Sequence, residues 1–185
     1  MKLHRYALLL GLLLAATIPS MAQRIVMKVM DPTQIPGESL LQGFANWTEL
    51  TAVNAGSTSE PPVWVGPGGS AGDAVTKCFT ISMAQDKLAY YLKRKEYTRS
   101  GLVSIQIDVL KTTGATIPQT YYRILMENVF VTLIEEAVGE DGSSMMNVSF
   151  VPERFRYTYY TQNPQTGALG NPVVFGWDQR TRQTW

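Results

Sequence analysis

From residue 24 onward, apolar and polar positions alternate with a period of two over most of the chain. Arg24 to Met30 sets Ile25, Met27 and Val29 against charged or mixed neighbours and stops at Asp31-Pro32, which predicts a first strand. Ile35-Pro36-Gly37-Glu38-Ser39 reads as a turn or bulge, and Phe44 to Val53 as a second strand. Val75 to Met83 predicts a third, with Val75, Phe79, Ile81 and Met83 on one face and Thr76, Cys78, Thr80 and Ser82 on the other. Leu102 to Thr112 alternates Val103, Ile105, Ile107 and Val109 against Ser104, Gln106 and Asp108. Tyr121 to Glu135 is a long β-rich run whose polar pair Glu127-Asn128 predicts a bulge or corner. Met146 to Phe150 and Phe155 to Tyr159 read as two further strands, followed by the glycine-punctuated return from Gly167 to Asp178.

One stretch has helical periodicity instead. Between Gln85 and Tyr97, Leu88, Tyr91 and Leu92 form an apolar stripe while Lys87, Lys93, Arg94 and Glu96 stay polar, and Ser100-Gly101 stops the helix. Asn54 to Gly72 is polar and glycine-rich, broken by Pro61-Pro62-Val63-Trp64-Val65, and its composition predicts a loop that does not pair steadily within a sheet. A loop of that length in a compact domain is functional or mobile. Trp64 marks either a loop folded back on the body or one that docks on a neighbouring subunit. Seven or eight strands with one helix and no βαβ alternation predict a mostly antiparallel barrel or pair of sheets. There is no internal repeat.

The first 22 residues stand apart. Lys2, His4 and Arg5 precede an apolar run from Ala7 to Ile18, and Ser20-Met21-Ala22 places small residues at a cleavage site before Gln23. That is the pattern of a secretory signal peptide, with an apolar run shorter than the roughly 20 residues of a membrane span. The competing reading is synthesis beginning at Met21. Without Lys2 and Arg5, the 16 basic residues become 14 against 15 acidic ones, a formal charge of −1. Such a balance, with no basic run beyond Lys93-Arg94-Lys95, argues against nucleic acid and against an anionic membrane as partners.

Composition also narrows the chemistry. The only histidine, His4, lies in that leader, so the remaining chain cannot build Ser-His-Asp or Cys-His catalysis or a histidine metal site. One cysteine, Cys78, forms no internal disulfide, and with no base beside it reads as a small strand residue. Glu135-Glu136 and Glu140-Asp141 lack an EF-hand pattern and read as a solvated charge run at a strand exit. The glycine-rich Gly66 to Gly72 has no Gly-Lys-Ser/Thr ending and precedes a strand, so it fails as a phosphate loop. Asn46-Trp47-Thr48 and Asn147-Val148-Ser149 match the glycosylation acceptor pattern, which short sequences meet by chance. No constellation supplies nucleophile, base and oxyanion donor together, so the sequence predicts no enzyme, no metal and no cofactor.

In this order of elements the chain resembles the haemolysin-coregulated protein (Hcp) family, the tube subunit of type VI secretion systems. Ile25 to Asp31 with Gly37, Glu38 and Ser39 is similar to the family's opening strand and Gly-Glu-Ser turn. Val63 to Lys87 resembles the extended glycine-rich loop, the next strand and the start of the lone helix, and Tyr121 to Thr132 the strand with an acidic-polar interruption. Val148 to Asp178 resembles the closing strands, including Gly167, Leu169, Gly170, Pro172, Gly176, Trp177 and Asp178.

The resemblance implies a small antiparallel β-barrel of two sheets with one flanking α-helix, tail-tube-like, over residues 23–185 after a signal peptide at 1–22. It also implies homohexameric rings stacked into the inner tube of the secretion system, able to hold effectors in the lumen, with sheath, spike and effector proteins as further partners. The ring-stacking candidates are Trp64, Gly66, Gly68, Gly69 and Gly72. Thr76-Cys78-Thr80-Ser82 or Ser104-Gln106-Asp108 could supply the polar lumen face.

Two features depart from the family. The tail after Asp178 reads Gln-Arg-Thr-Arg-Gln-Thr-Trp, and tube subunits normally leave through the machine without a cleaved signal. The expectation is therefore a secreted protein passing through the periplasm, or a cytoplasmic one before secretion if synthesis begins at Met21. An exported monomeric binding module of the same fold is the alternative, and an enzyme using carboxylates alone comes third.

Overall fold

The structure is a computed structural model and describes residues 23–59, 63–65, 68–70, 74–111, 117–163 and 165–185. The expected signal peptide, residues 1–22, lies outside the described residues.

Alternation builds the body. The strands β1 (Arg24–Met30), β3 (Thr48–Asn54), β8 (Phe79–Ala84), β9 (Leu102–Lys111), β10 (Gln119–Val138) and β11 (Ser144–Gln162) pair antiparallel in the order β10-β9-β1-β3-β8-β11. Because β11 also pairs with β10, this sheet closes into a six-stranded barrel. The short β2 (Gln34–Ile35) folds back on β1, while β12 (Leu169–Asp178) and β13 (Gln183–Thr184) extend the sheet outward from β11. The expected two sheets are thus one closed sheet with an outer flap. Inside lie Met27, Val29, Phe79, Ile81, Met83, Ile105, Ile107, Ile124, Met126, Val148 and Phe150, each at most 1% exposed. These are the period-two positions of their strands, so closure puts one face of every strand out of water.

The helix α1 (Lys87–Thr98) begins at Asp86, whose carboxylate accepts from the Leu88 N–H at 2.8 Å, and it buries Leu88, Ala89 and Leu92 in the same core. It ends at Arg99 in the left-handed region (φ 52°), one residue before the expected Ser100-Gly101 stop.

Four boundaries differ from the sequence reading. The second strand starts at Thr48 and not Phe44, because Phe44 packs with Val26, Leu110 and Trp47 on the outside of the barrel. The third strand splits at Lys77-Cys78 into β7 (Ala74–Thr76) and β8, which leaves Val75 exposed. Glu127 and Val129 keep one register with β11 although Asn128 takes a left-handed φ of 49°, and the register slips at Val131/Leu133 instead.

The two closing strands are one. β11 runs through Pro152, where its neighbour on one edge changes from β8, last paired at Phe150, to β12, first paired at Arg154. Pro152 sits in that gap, its carbonyl accepting from Gln179 Nε2 at 2.5 Å, so its missing N–H removes no ladder bond.

Candidate assembly surfaces

The Gly-Glu-Ser turn is a knot that ties three elements together. Thr48 Oγ1 and the Trp47 carbonyl oxygen lie 2.3 and 2.4 Å from where a Gly37 Cβ would stand, so only glycine fits. The Ser39 hydroxyl donates to Glu49 at 3.0 Å and accepts from the Leu41 N–H at 3.2 Å. Glu38 spans to the helix: its N–H reaches Asp86 at 3.2 Å, and its carboxylate accepts from the Lys87 N–H at 3.3 Å. Asp86 is the hub, taking the Leu88 N–H, the Glu38 N–H and the Thr48 hydroxyl, the last at 2.8 Å. The resemblance flagged Glu38 and Ser39, but Asp86 carried no signal beyond a helix start.

The glycine-rich segment forms paired ribbon. β4 (Ser57–Ser59) pairs with β7, and further out β5 (Val63–Val65) pairs with β6 (Gly68–Ser70), placing Trp64 opposite Gly69 and Val65 opposite Gly68. The expectation of an unpaired loop is corrected, because these residues pair with one another and not with the barrel. Gly66 and Gly72 lie outside the described residues.

In the closing motif, Gly167 (φ 70°) turns the chain, with its N–H on the Asn163 carbonyl at 2.8 Å. Leu169 pairs with Gln162 and Pro172 with Tyr160, while a Cβ on Gly170 would stand 2.6 Å from Thr161 Oγ1. Trp177 sits opposite Phe155 and packs against the core. Asp178 accepts from the Thr181 and Arg180 N–H groups, and those bonds, Thr181 first, hold its carboxyl below the usual range. Gly176 lets Trp185 approach: a Cβ there would stand 2.1 Å from the Trp185 carbonyl oxygen. Beyond it, Val173, Val174 and Phe175 are each more than half exposed on β12, whose outer side pairs with β13 at Trp177 and Asp178.

The outer face of the barrel wall carries matched charges. Asp108, 1% exposed, takes a two-pronged bond from Arg123 at 2.7 and 2.8 Å, with Thr120 and Gln106 also donating. Asp108, a candidate for the polar lumen face, thus has its carboxylate covered and bonded within the subunit. The acidic run does not converge: Glu136 pairs with Lys93 at 2.5 Å, and Asp141 closes its own turn on Ser143. Its bond from the Ser143 hydroxyl is the main cause of a lowered Asp141 pKa. Glu135 and Glu140 are exposed. Among the described residues no group of three or more His, Cys, Asp or Glu could hold a metal, and no helix is long and apolar enough to cross a membrane. Cys78 is exposed at the break between β7 and β8.

A family model described as "Type VI secretion system effector, Hcp" matches residues 26–159, from β1 through most of β11. The chain belongs to the Hcp family. Among solved structures, one described as a type six secretion system protein superimposes with a TM-score of 0.79 at 17% identity, covering 89% of this chain and 100% of its own. Hcp1 from Salmonella typhimurium gives a TM-score of 0.72 at 17% identity, covering 89% and 100%. A type VI secretion system effector from Yersinia pestis gives 0.64 at 18% identity, covering 83% and 98%. At these identities the likeness is one of fold. No curated protein sequence matches the chain. Hcp is a secreted tube-type family and not an enzyme family.

Proposed function

We propose that this protein is a structural subunit that forms hexameric rings, stacked into the inner tube of a type VI secretion system with a lumen able to carry effectors. The observation that carries this is the Hcp family match over residues 26–159. Two features of the subunit support it. The edge strand β12 presents Val173, Val174 and Phe175 to solvent, a surface that soluble proteins cover by association. The β4–β7 and β5–β6 ribbons supply a projection for contact between rings, with Trp64, Gly68 and Gly69 in its outer part. Copies that meet through two different patches form heterologous contacts, and these close into rings when the rotation permits.

Light scattering on a size-exclusion column, followed by negative-stain imaging, tests the proposal. A ring-sized species is expected, and a monomer at high concentration would overturn it in favour of a monomeric binding module. The signal peptide at 1–22 belongs to the same proposal as its export route. N-terminal sequencing from the native host is expected to give Gln23, whereas an unprocessed start at Met21 would assign the cytoplasmic route.

A further inference from the structure

Arg156 is an unmatched charge on the outer face of the barrel. Its neighbours Phe155 and Tyr157 point to the core, so alternation turns Arg156 outward, beside Arg154. Other arginines of this wall have carboxylates: Arg123 on Asp108, Arg154 on Glu127 and Arg180 on Glu153. Arg156 has none among the described residues, and its Nε is buried without a hydrogen-bond partner. Its register partners, Leu125 and Gly176, offer no polar side chain.

The guanidinium is nonetheless held in place. It lies over the Trp185 indole at 4.0 Å from the ring centroid, with the Arg154 guanidinium 4.5 Å from the same ring. Trp185 is in turn fixed by its N–H on the Gly176 carbonyl at 3.1 Å, and only a glycine at 176 admits that approach. Stacking uses the face of a guanidinium and leaves its in-plane N–H groups for an anion, preferably a planar carboxylate.

The complementary charge lies elsewhere on the same chain. At the β10–β11 hairpin, Glu136 is taken by Lys93 and Asp141 by its own turn, while Glu135 and Glu140 are exposed with no cation beside them among the described residues. Glu135 pairs in register with Asn147, nine residues before Arg156 on the same strand, a separation of about 30 Å along β11. The two sets therefore cannot meet within one subunit.

We infer that the Arg156–Trp185 stack receives the Glu135 or Glu140 carboxylate of a second copy of this chain. The contact is heterologous, the kind that propagates from copy to copy, and it rests on the self-assembly proposed above.

Charge reversal tests it, with association measured by sedimentation across a range of salt. Wild-type association is expected to weaken as salt rises. Arg156→Glu, and Glu135→Lys with Glu140→Lys, should each lower the association constant by about tenfold or more. All three reversals in one chain should restore it to within a few fold, a recovery that misfolding cannot mimic. Trp185→Ala, which frees the guanidinium without removing charge, should weaken association with the circular dichroism unchanged. Assembly unaffected by the reversals, or lost without rescue, overturns this contact and leaves the ring proposal standing. A wild-type chain that stays monomeric at every salt concentration removes both.

Discussion

Asp86→Ala removes one side chain that holds three donors from three elements. The Leu88 N–H at 2.8 Å is the helix N-cap bond, worth about 1 kcal/mol. The Thr48 hydroxyl at 2.8 Å belongs to a residue only 1% exposed, so losing its acceptor costs about 1–2 kcal/mol more. The Glu38 N–H at 3.2 Å is exposed and turns to water at little cost. The expected loss is about 2–3 kcal/mol, or a fall of about 1 M or more in the urea midpoint at an ordinary slope. Urea unfolding followed by Trp fluorescence, at one fixed protein concentration, measures it. Asp86→Asn is the control. Asparagine caps as well as aspartate but presents one carbonyl oxygen where both carboxylate oxygens are used, so it should lose about 1 kcal/mol. An alanine variant within about 0.5 kcal/mol of wild type would refute the reasoning, because that is the range of surface substitutions away from special features.

Arg123→Ala leaves the Asp108 carboxylate buried with only Gln106 and Thr120 donating, and should cost about 3 kcal/mol in urea unfolding. Replacing both Arg123 and Asp108 by leucine should recover most of that loss. Asp31 is bonded to Lys95 first and to the Tyr91 hydroxyl at 2.5 Å second, and both hold its carboxyl below the ordinary 3.8. A depressed folded pKa contributes stability that is present above 3.8 and lost as pH falls through the lower, folded value, so Asp31→Asn should flatten that part of an acid unfolding curve. Burial pushes the Tyr157 hydroxyl from 10.0 to about 12, with Tyr122 adding to it. Below pH 10 both states keep that proton, and between 10 and about 12 only the folded state does, so stability falls with rising pH there. Burial also raises Tyr91 and Tyr122, so an ultraviolet titration should show a late-ionising group of tyrosines from which Tyr157→Phe removes one phenol.

Period-two alternation was enough to read most of the barrel, because its inner positions are apolar and its outer ones are not. It misled where an apolar residue is buried on the wrong side. Phe44 looks like a strand residue, yet it packs outside against Val26 and Leu110, a contact made across the sequence. Met146 to Phe150 and Phe155 to Tyr159 read as two strands because the harmlessness of Pro152 between them depends on which strand lies alongside, and the switch from β8 to β12 is a property of the sheet. The ribbon around Trp64 was hidden by composition, since glycine and proline lower strand propensity without preventing a short hairpin from closing on itself. Asp108 and Arg123 stand 15 residues apart, and only the β9–β10 register makes them neighbours. Arg154 and Arg156 stand two residues apart in the sequence, but Trp185, which stacks on both, joins them only through the fold of the tail.

Polar satisfaction separates two kinds of residue that resemblance alone groups together. Gly37, Glu38 and Ser39 spend their bonding capacity inside the subunit, on Thr48, Asp86, Glu49 and Leu41. Substituting them removes bonds that already exist in one copy, so the loss appears in unfolding whatever the oligomeric state. Arg156, Glu135 and Glu140 have no acid or base to lose among the described residues, and Val173, Val174 and Phe175 are already largely in water. Changing these leaves the isolated barrel nearly as stable, because the free energy they can contribute is realised only against another surface. A subunit of the proposed tube would have to fold before it meets its neighbours, and in the assembly proposed above the two demands fall on different residues.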